Sequence, residues 1–203
     1  MAYPAFFEAV PGIDVHDPLA YFLGASDDGI LHYGYADAVR LAGHSCPTVA
    51  SAYWMTRLAL RALYREKMPE RGGIRVDFSA DISHGVTGVI VSVVSMLTGA
   101  AGIGGFKGLA GKFGRKNLLA FGADIPLELR YSRLDGEGYV DVAVNLAAVP
   151  SDPETSILMQ RCLAAVANDE DLLRFQTLWQ DRVRRILMDH GDDASVFTLR
   201  RSA

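Results

Sequence analysis

Apolar positions along this chain fall into short blocks, and the spacing inside each block predicts its secondary structure. Residues 13–23 and 30–35 are apolar segments divided by the turn-forming run Gly-Ala-Ser-Asp-Asp-Gly. Residues 35–42 read as a short helix that Gly43 ends. Pro47 suits the first position of a new helix, which makes Cys46 its N-cap. That helix is predicted over 47–67, with Val49, Tyr53, Leu60 and Leu63 on one face, and Pro-Glu-Arg-Gly-Gly stops it. Residues 73–81 then read as a strand.

The segment 83–99 is rich in β-branched residues, which favour a strand. Its apolar spacing argues the other way. Val86, Val89, Ile90, Val93, Val94 and Leu97 follow the i, i+3, i+4 rule, with Gly88, Ser92 and Ser95 opposite, so a helix ended by Gly99 is predicted. After a glycine-rich stretch, 117–121, 125–133 and 139–148 read as strands, the last two joined as a hairpin through Leu-Asp-Gly-Glu-Gly. Two acid-rich helices follow, over 153–167 and 170–189, and the tail beyond Gly191 is expected to be loose.

The expectation is therefore an α+β fold: a mixed or antiparallel sheet, a long helix after a His-x-Cys motif, a second core helix and two C-terminal helices. Residues 1–150 form the domain, 151–190 a helical appendage packed on it or at a dimer interface, and 191–203 a loose tail. With 203 residues, half of them hydrophobic, the chain can bury a core of that size. Its net charge of −4, with both signs mixed along the chain, offers no general attraction to nucleic acid or an anionic membrane. The longest apolar stretch, 86–97, is far short of the roughly 20 residues of a membrane span. Two cysteines make no disulfide framework, and the first residues carry acids and prolines in place of a leader pattern, so a cytoplasmic location is expected. Leu172, Phe175, Leu178, Trp179, Val183 and Leu187 recur at helical spacing. They suggest a homodimer through this face, the alternative being packing onto their own domain.

The chemistry concentrates at Ala-Gly-His-Ser-Cys-Pro-Thr, residues 42–48. A cysteine at a helix N-terminus faces unpaired N–H groups and the positive end of the dipole, both of which favour the metal-binding thiolate. His44 lies two residues before it on an extended stretch, so its imidazole and the Cys46 sulfur are candidate ligands for one ion. Nitrogen plus sulfur suits zinc best, with nickel, iron or copper as alternatives. The structural alternative is a buried cysteine beside a capping histidine.

The run Ala-Gly-His-Ser-Cys-Pro-Thr-Val-Ala-Ser-Ala-Tyr-Trp resembles the opening motif of the FmdE family, which takes its name from a component of formylmethanofuran dehydrogenase. Val-Ser-Met-Leu-Thr-Gly-Ala followed by Phe-Gly-Arg-Lys-Asn-Leu-Leu resembles the second block of that family. The resemblance, spanning roughly 35–122, implies an α+β protein, often dimeric, with a metal such as zinc near these motifs. It leaves the reaction open. Ala42 stands where the family has another histidine, Ala100 where it has a cysteine, and Ser92 and Ser95 where an acid and a glutamine are usual. Only His44 and Cys46 carry over as ligands. His84, just before the helix leading into the second block, is the first candidate to replace those missing. His16 and His32 come next, with Asp14 or Asp17 placed to supply oxygen or to orient His16. His190 is expected to be solvated, and Cys162 to be an apolar packing residue.

Between the halves of the second block, glycines fall at 99, 102, 105, 108, 111 and 114, with Lys107, Lys112, Arg115 and Lys116 and no acid. That combination lets backbone approach an anion while lysines supply charge, and a mobile loop would serve as a lid. It is neither a P-loop nor a dinucleotide fingerprint. The alternative is a close-packed glycine face.

Two functions follow. One is a metal-binding FmdE-like protein with an anionic small molecule completing its site. The other is a hydrolytic or redox enzyme in which the ion activates water or Cys46 serves as a thiolate, with Asp81 as the candidate base. No Gly-x-Ser-x-Gly elbow supports a serine triad.

Overall fold

The computed structural model describes residues 3–202. Its elements in chain order are α1 (Phe6–Ala9), β1 (Ile13–His16), α2 (Pro18–Phe22), β2 (Ile30–Tyr33), α3 (Tyr35–Ala42), α4 (Pro47–Tyr64), β3 (Ile74–Phe78) and α5 (Thr87–Thr98). β4 (Leu119–Ala120), β5 (Leu129–Arg133), β6 (Tyr139–Val144), α6 (Pro153–Leu163), α7 (Asp169–Arg184) and β7 (Phe197–Arg201) complete it. The fold is α+β. β1 and β2 form a small antiparallel hairpin, and the other strands form one sheet in the order β4-β3-β5-β6-β7, antiparallel except for the β3–β4 edge.

Alternation along the strands gives the sheet two different faces. Val76, Tyr131 and Val140 stand opposite one another in register and are buried, as are Phe78, Leu129 and Val142. The other face carries charge, where Arg130 grips Asp141 across the strands with two hydrogen bonds of 2.6 and 2.9 Å.

α4 covers the apolar face. Of its 18 residues 14 are buried, so the amphipathic face predicted from Val49, Tyr53, Leu60 and Leu63 is only part of a helix enclosed nearly all round. α3, α5, α7, the sheet and the π-helical turn Arg185–Asp189 enclose it. Thr56 turns its hydroxyl to the Tyr131 hydroxyl at 2.9 Å, pairing the polar atoms inside this layer.

The helix boundaries follow the punctuation of the sequence. α3 ends at Gly43, whose φ of +76° is a conformation a side chain rarely adopts, and α5 ends likewise at Gly99. The expected strand over 117–121 is two residues long, and the end of the predicted 139–148 strand is a 3-10 turn, Leu146–Ala148.

The tail corrects the sequence reading. Beyond Gly191 the chain does not stay loose: β7 pairs with β6 over five residues, and Val196 and Phe197 enter the core at 1% and 4% exposure. The preceding appendage is joined to the same core through Val183, Ile186 and Leu187.

Three distant segments are tied by one carboxylate. Asp17 caps α2 by accepting from the Leu19 and Ala20 N–H groups. It also accepts from Arg71 at 2.8 Å and Arg115 at 2.7 Å. Burial pushes the Asp17 pKa up, but the Arg71 hydrogen bond, the Ala20 N–H and the two guanidinium charges outweigh it, leaving the carboxyl below its ordinary value. Gly72 makes room for this pairing, since a β-carbon there would overlap the Arg115 guanidinium.

Asp17→Ala leaves Arg115 buried without its counter-charge and is expected to cost ~3–5 kcal/mol in urea unfolding at neutral pH. Because the folded pKa is depressed, the contribution of Asp17 is complete above the ordinary value of 3.8 and is lost as pH falls through the folded value. The stability gap between wild type and variant must therefore close in acid. A constant gap across that range would show that charge pairing is not its source.

Candidate functional site

The His-x-Cys segment is built as its sequence suggests, but its polar atoms are used for structure. Cys46 is the N-cap of α4 and Pro47 its first residue. The Cys46 sulfur accepts the Val49 N–H at 3.4 Å, and the residue is 8% exposed. The sulfur therefore closes the helix start from inside the core. His44 is exposed, and its Nδ1 lies 2.9 Å from the Ala42 carbonyl oxygen.

Ser45, between them, is the residue the sequence reading passed over. Its hydroxyl donates to Gln180 Oε1 and sits 3.0 Å from the Tyr35 hydroxyl, while its carbonyl accepts from Trp179 Nε1 at 2.9 Å and from Gln180 Nε2 at 3.3 Å. The loop between α3 and α4 is thus the anchor for α7.

The expected ligands His44, Cys46 and His84 are not gathered into one cluster. Among the described residues, no group of three or more His, Cys, Asp or Glu side chains is arranged to hold a metal ion. Of the next candidates, His16 is engaged through its backbone alone and His32 through its side chain. His16 ends β1, where its backbone exchanges hydrogen bonds with Pro69 and Arg71. His32 Nδ1 pairs with Asp14 at 2.6 Å across the β1–β2 hairpin, so Asp14 faces His32 and not His16. Asp17 is committed to Arg71 and Arg115. His190 pairs with Asp193 at 3.0 Å. Cys162 is only half-buried, beside the exposed Leu163 and Val166.

The glycine- and lysine-rich segment folds on itself. Leu109 and Lys112 exchange backbone hydrogen bonds, Arg115 N–H donates to the Phe106 carbonyl, and Ala101 N–H to that of Arg115. Arg115 points inward to Asp17, which removes it from the expected anion-binding set with Lys107, Lys112 and Lys116. The three lysines do not line the cleft described next. Close packing accounts for Gly99, Gly105 and Gly108, where a β-carbon would strike the Arg115 side chain or neighbouring backbone, but Gly102, Gly111 and Gly114 have room for one.

What the fold does bring together is a cleft of about 370 Å³ where α4 and α5 both begin. Thr48 and Ser51 enter it from the first turns of α4, His84, Gly85, Val86 and Thr87 from the start of α5, and Glu128 from the approach to β5. Phe78, Ile90, Leu129, Val144 and Leu146 form its apolar lining. α5 has no side-chain cap and the positive end of its dipole lies here, although the Thr87 and Val89 N–H groups of its first turn already donate to the His84 and Val86 carbonyls. Loss of solvation raises the Glu128 carboxyl above its ordinary pKa, opposed by the Val144 N–H that donates to it at 3.3 Å. The cleft therefore offers an imidazole, hydroxyls and a carboxyl whose pKa is raised although Glu128 as a whole is exposed. Asp81, the expected base, instead accepts from the backbone and hydroxyl of Ser83, which hold its pKa down.

Glu128, Thr48 and Ser51 carried no signal in the sequence, because nothing local distinguishes them from surface residues. The chain matches no family model, and no curated protein matches it.

If the Cys46 sulfur is a buried cap, iodoacetamide must modify Cys162 first in the native protein, with Cys46 reacting only on unfolding. Peptide mass spectrometry reads the order directly. Rapid native alkylation of Cys46 would restore it as a reactive thiol.

Proposed function

We propose that this protein binds a small molecule with an anionic end in the cleft shared by the starts of α4 and α5. The observation that carries the reading is the convergence itself. Thr48 and Ser51, from the segment like the first FmdE block, and His84 to Thr87 with Ile90, from the segment leading into the second, line one cleft. The anionic end lies by the positive end of the α5 dipole, with the His84 imidazole as its hydrogen-bonding neighbour. The apolar lining takes the body of the molecule, as in most small-ligand sites. Glu128, with its raised pKa, donates a hydrogen bond to the ligand when protonated.

This is a binding reading. The Cys46 sulfur is occupied and buried, and Asp81 is held as a low-pKa carboxylate, so neither residue supports the thiolate or hydrolytic alternative. A second reading keeps the kinship with the metal-holding FmdE proteins. His84 and Glu128 offer nitrogen and oxygen donors in one cleft, and a chelating ligand would supply the remaining donors around zinc.

Calorimetric titration with inorganic phosphate and, separately, with zinc chloride tests both readings. Phosphate affinity is expected to fall about tenfold in His84→Ala and to hold or rise in Glu128→Gln. Zinc held by the pair must weaken in both variants. If neither probe binds, or if binding ignores both substitutions, the cleft is not the site.

A further inference from the structure

A second cavity, of about 640 Å³, lies between the N-terminal segment and α7 and shares no lining residue with the α4–α5 cleft. Aromatic rings dominate it: Tyr3, Phe6 and Phe7 on the N-terminal side, Phe175 and Trp179 from α7. These rings are held before any ligand arrives. Tyr3 stacks on Phe7 at 5.4 Å, Phe6 meets Phe7 edge-on at 4.9 Å, and Phe7 meets the buried Tyr35 in the same way. Trp179 is fixed by its hydrogen bond to the Ser45 carbonyl and lies 5.6 Å from Phe175. A preformed aromatic wall lowers the ordering cost of binding and favours ring-on-ring contact.

The charges on the lining select against an ionic guest. Asp181 and Arg184 pair with each other at 3.3 Å, and each has a further partner at 2.9 Å, Arg185 for the acid and Asp189 for the base. A charged ligand would have to break these pairs, whereas a neutral one leaves them whole. Gln176 adds an amide for directional hydrogen bonds, while the Gln180 amide is held by Ser45.

From this combination we infer that the cavity is a binding site for a neutral small molecule carrying at least one aromatic ring. Its volume falls within the roughly 300–1,000 Å³ of small-ligand pockets, and its chemistry matches theirs: an apolar, aromatic surface with a few placed polar groups. The site stands independently of the α4–α5 cleft.

The test is fluorescence titration with N-phenylnaphthylamine, a neutral aromatic dye that brightens when desolvated, on wild type, Phe175→Ser, Gln176→Trp and His84→Ala. Saturable binding of one dye per chain is expected, weakened at least about tenfold in Phe175→Ser and in Gln176→Trp, whose indole fills the opening, and unchanged in His84→Ala. Circular dichroism checks each fold. Should Phe175→Ser unfold, Gln176→Trp, at an exposed position, decides alone. Absent or unsaturable binding overturns the inference, as does equal binding in every variant. Velocity sedimentation supplies the last outcome: a dimer that excludes the dye until dilution separates it would overturn the small-molecule site and make this face a contact between two copies of the chain.

Discussion

One helix that meets almost no solvent sets the rest of this structure. Because α4 is enclosed nearly all round and begins at the buried Cys46, its start depends on protein groups to satisfy its N–H groups, while its far end runs into the exposed residues 65–68. At its start the Cys46 sulfur takes the Val49 N–H. Immediately before that, Ser45 spends both its hydroxyl and its carbonyl in holding α7. The His-x-Cys segment is thus first a structural joint, at which α3, α4 and α7 meet.

The same enclosure creates the cleft. α5 packs against α4, and both helices bring their starting residues to one opening, lined below by the sheet residues Phe78, Leu129 and Val144. The chemistry there comes from three separated parts of the chain: Thr48, His84 and Glu128. Electrostatics gives the opening a direction, with the uncapped first turn of α5 at one side and a carboxyl that resists ionisation among the lining groups. Elsewhere opposite charges pair with one another, as where Asp17 holds Arg71 and Arg115 and ties down the glycine-rich segment.

Much of the fold was legible in sequence because its punctuation is local. Gly43, Pro47 and Gly99 mark helix ends that the structure keeps, and spacing separated α5 from a strand despite its β-branched residues. β7 was missed because a short, charged strand at the end of a chain looks like a tail until its partner β6 is known. The Asp17 pairing was invisible for a related reason: residues 17, 71 and 115 have no pattern that links them. At the site, a cysteine at a helix start has two physical uses, as an exposed thiolate or as an internal cap. Sequence identifies the position, but burial decides the use. Glu128 shows the reverse case, an unremarkable residue given its character by its surroundings.

The central claim is that the two motif-bearing segments build a single ligand cleft and that the His-x-Cys pair itself is structural. Crystals grown with zinc chloride and phosphate, with anomalous data collected at the zinc edge, test it most directly. The account predicts bound phosphate at the first turn of α5 beside His84, with any zinc on His84 and Glu128. An empty cleft, with zinc bound between His44 and the Cys46 sulfur, would contradict it.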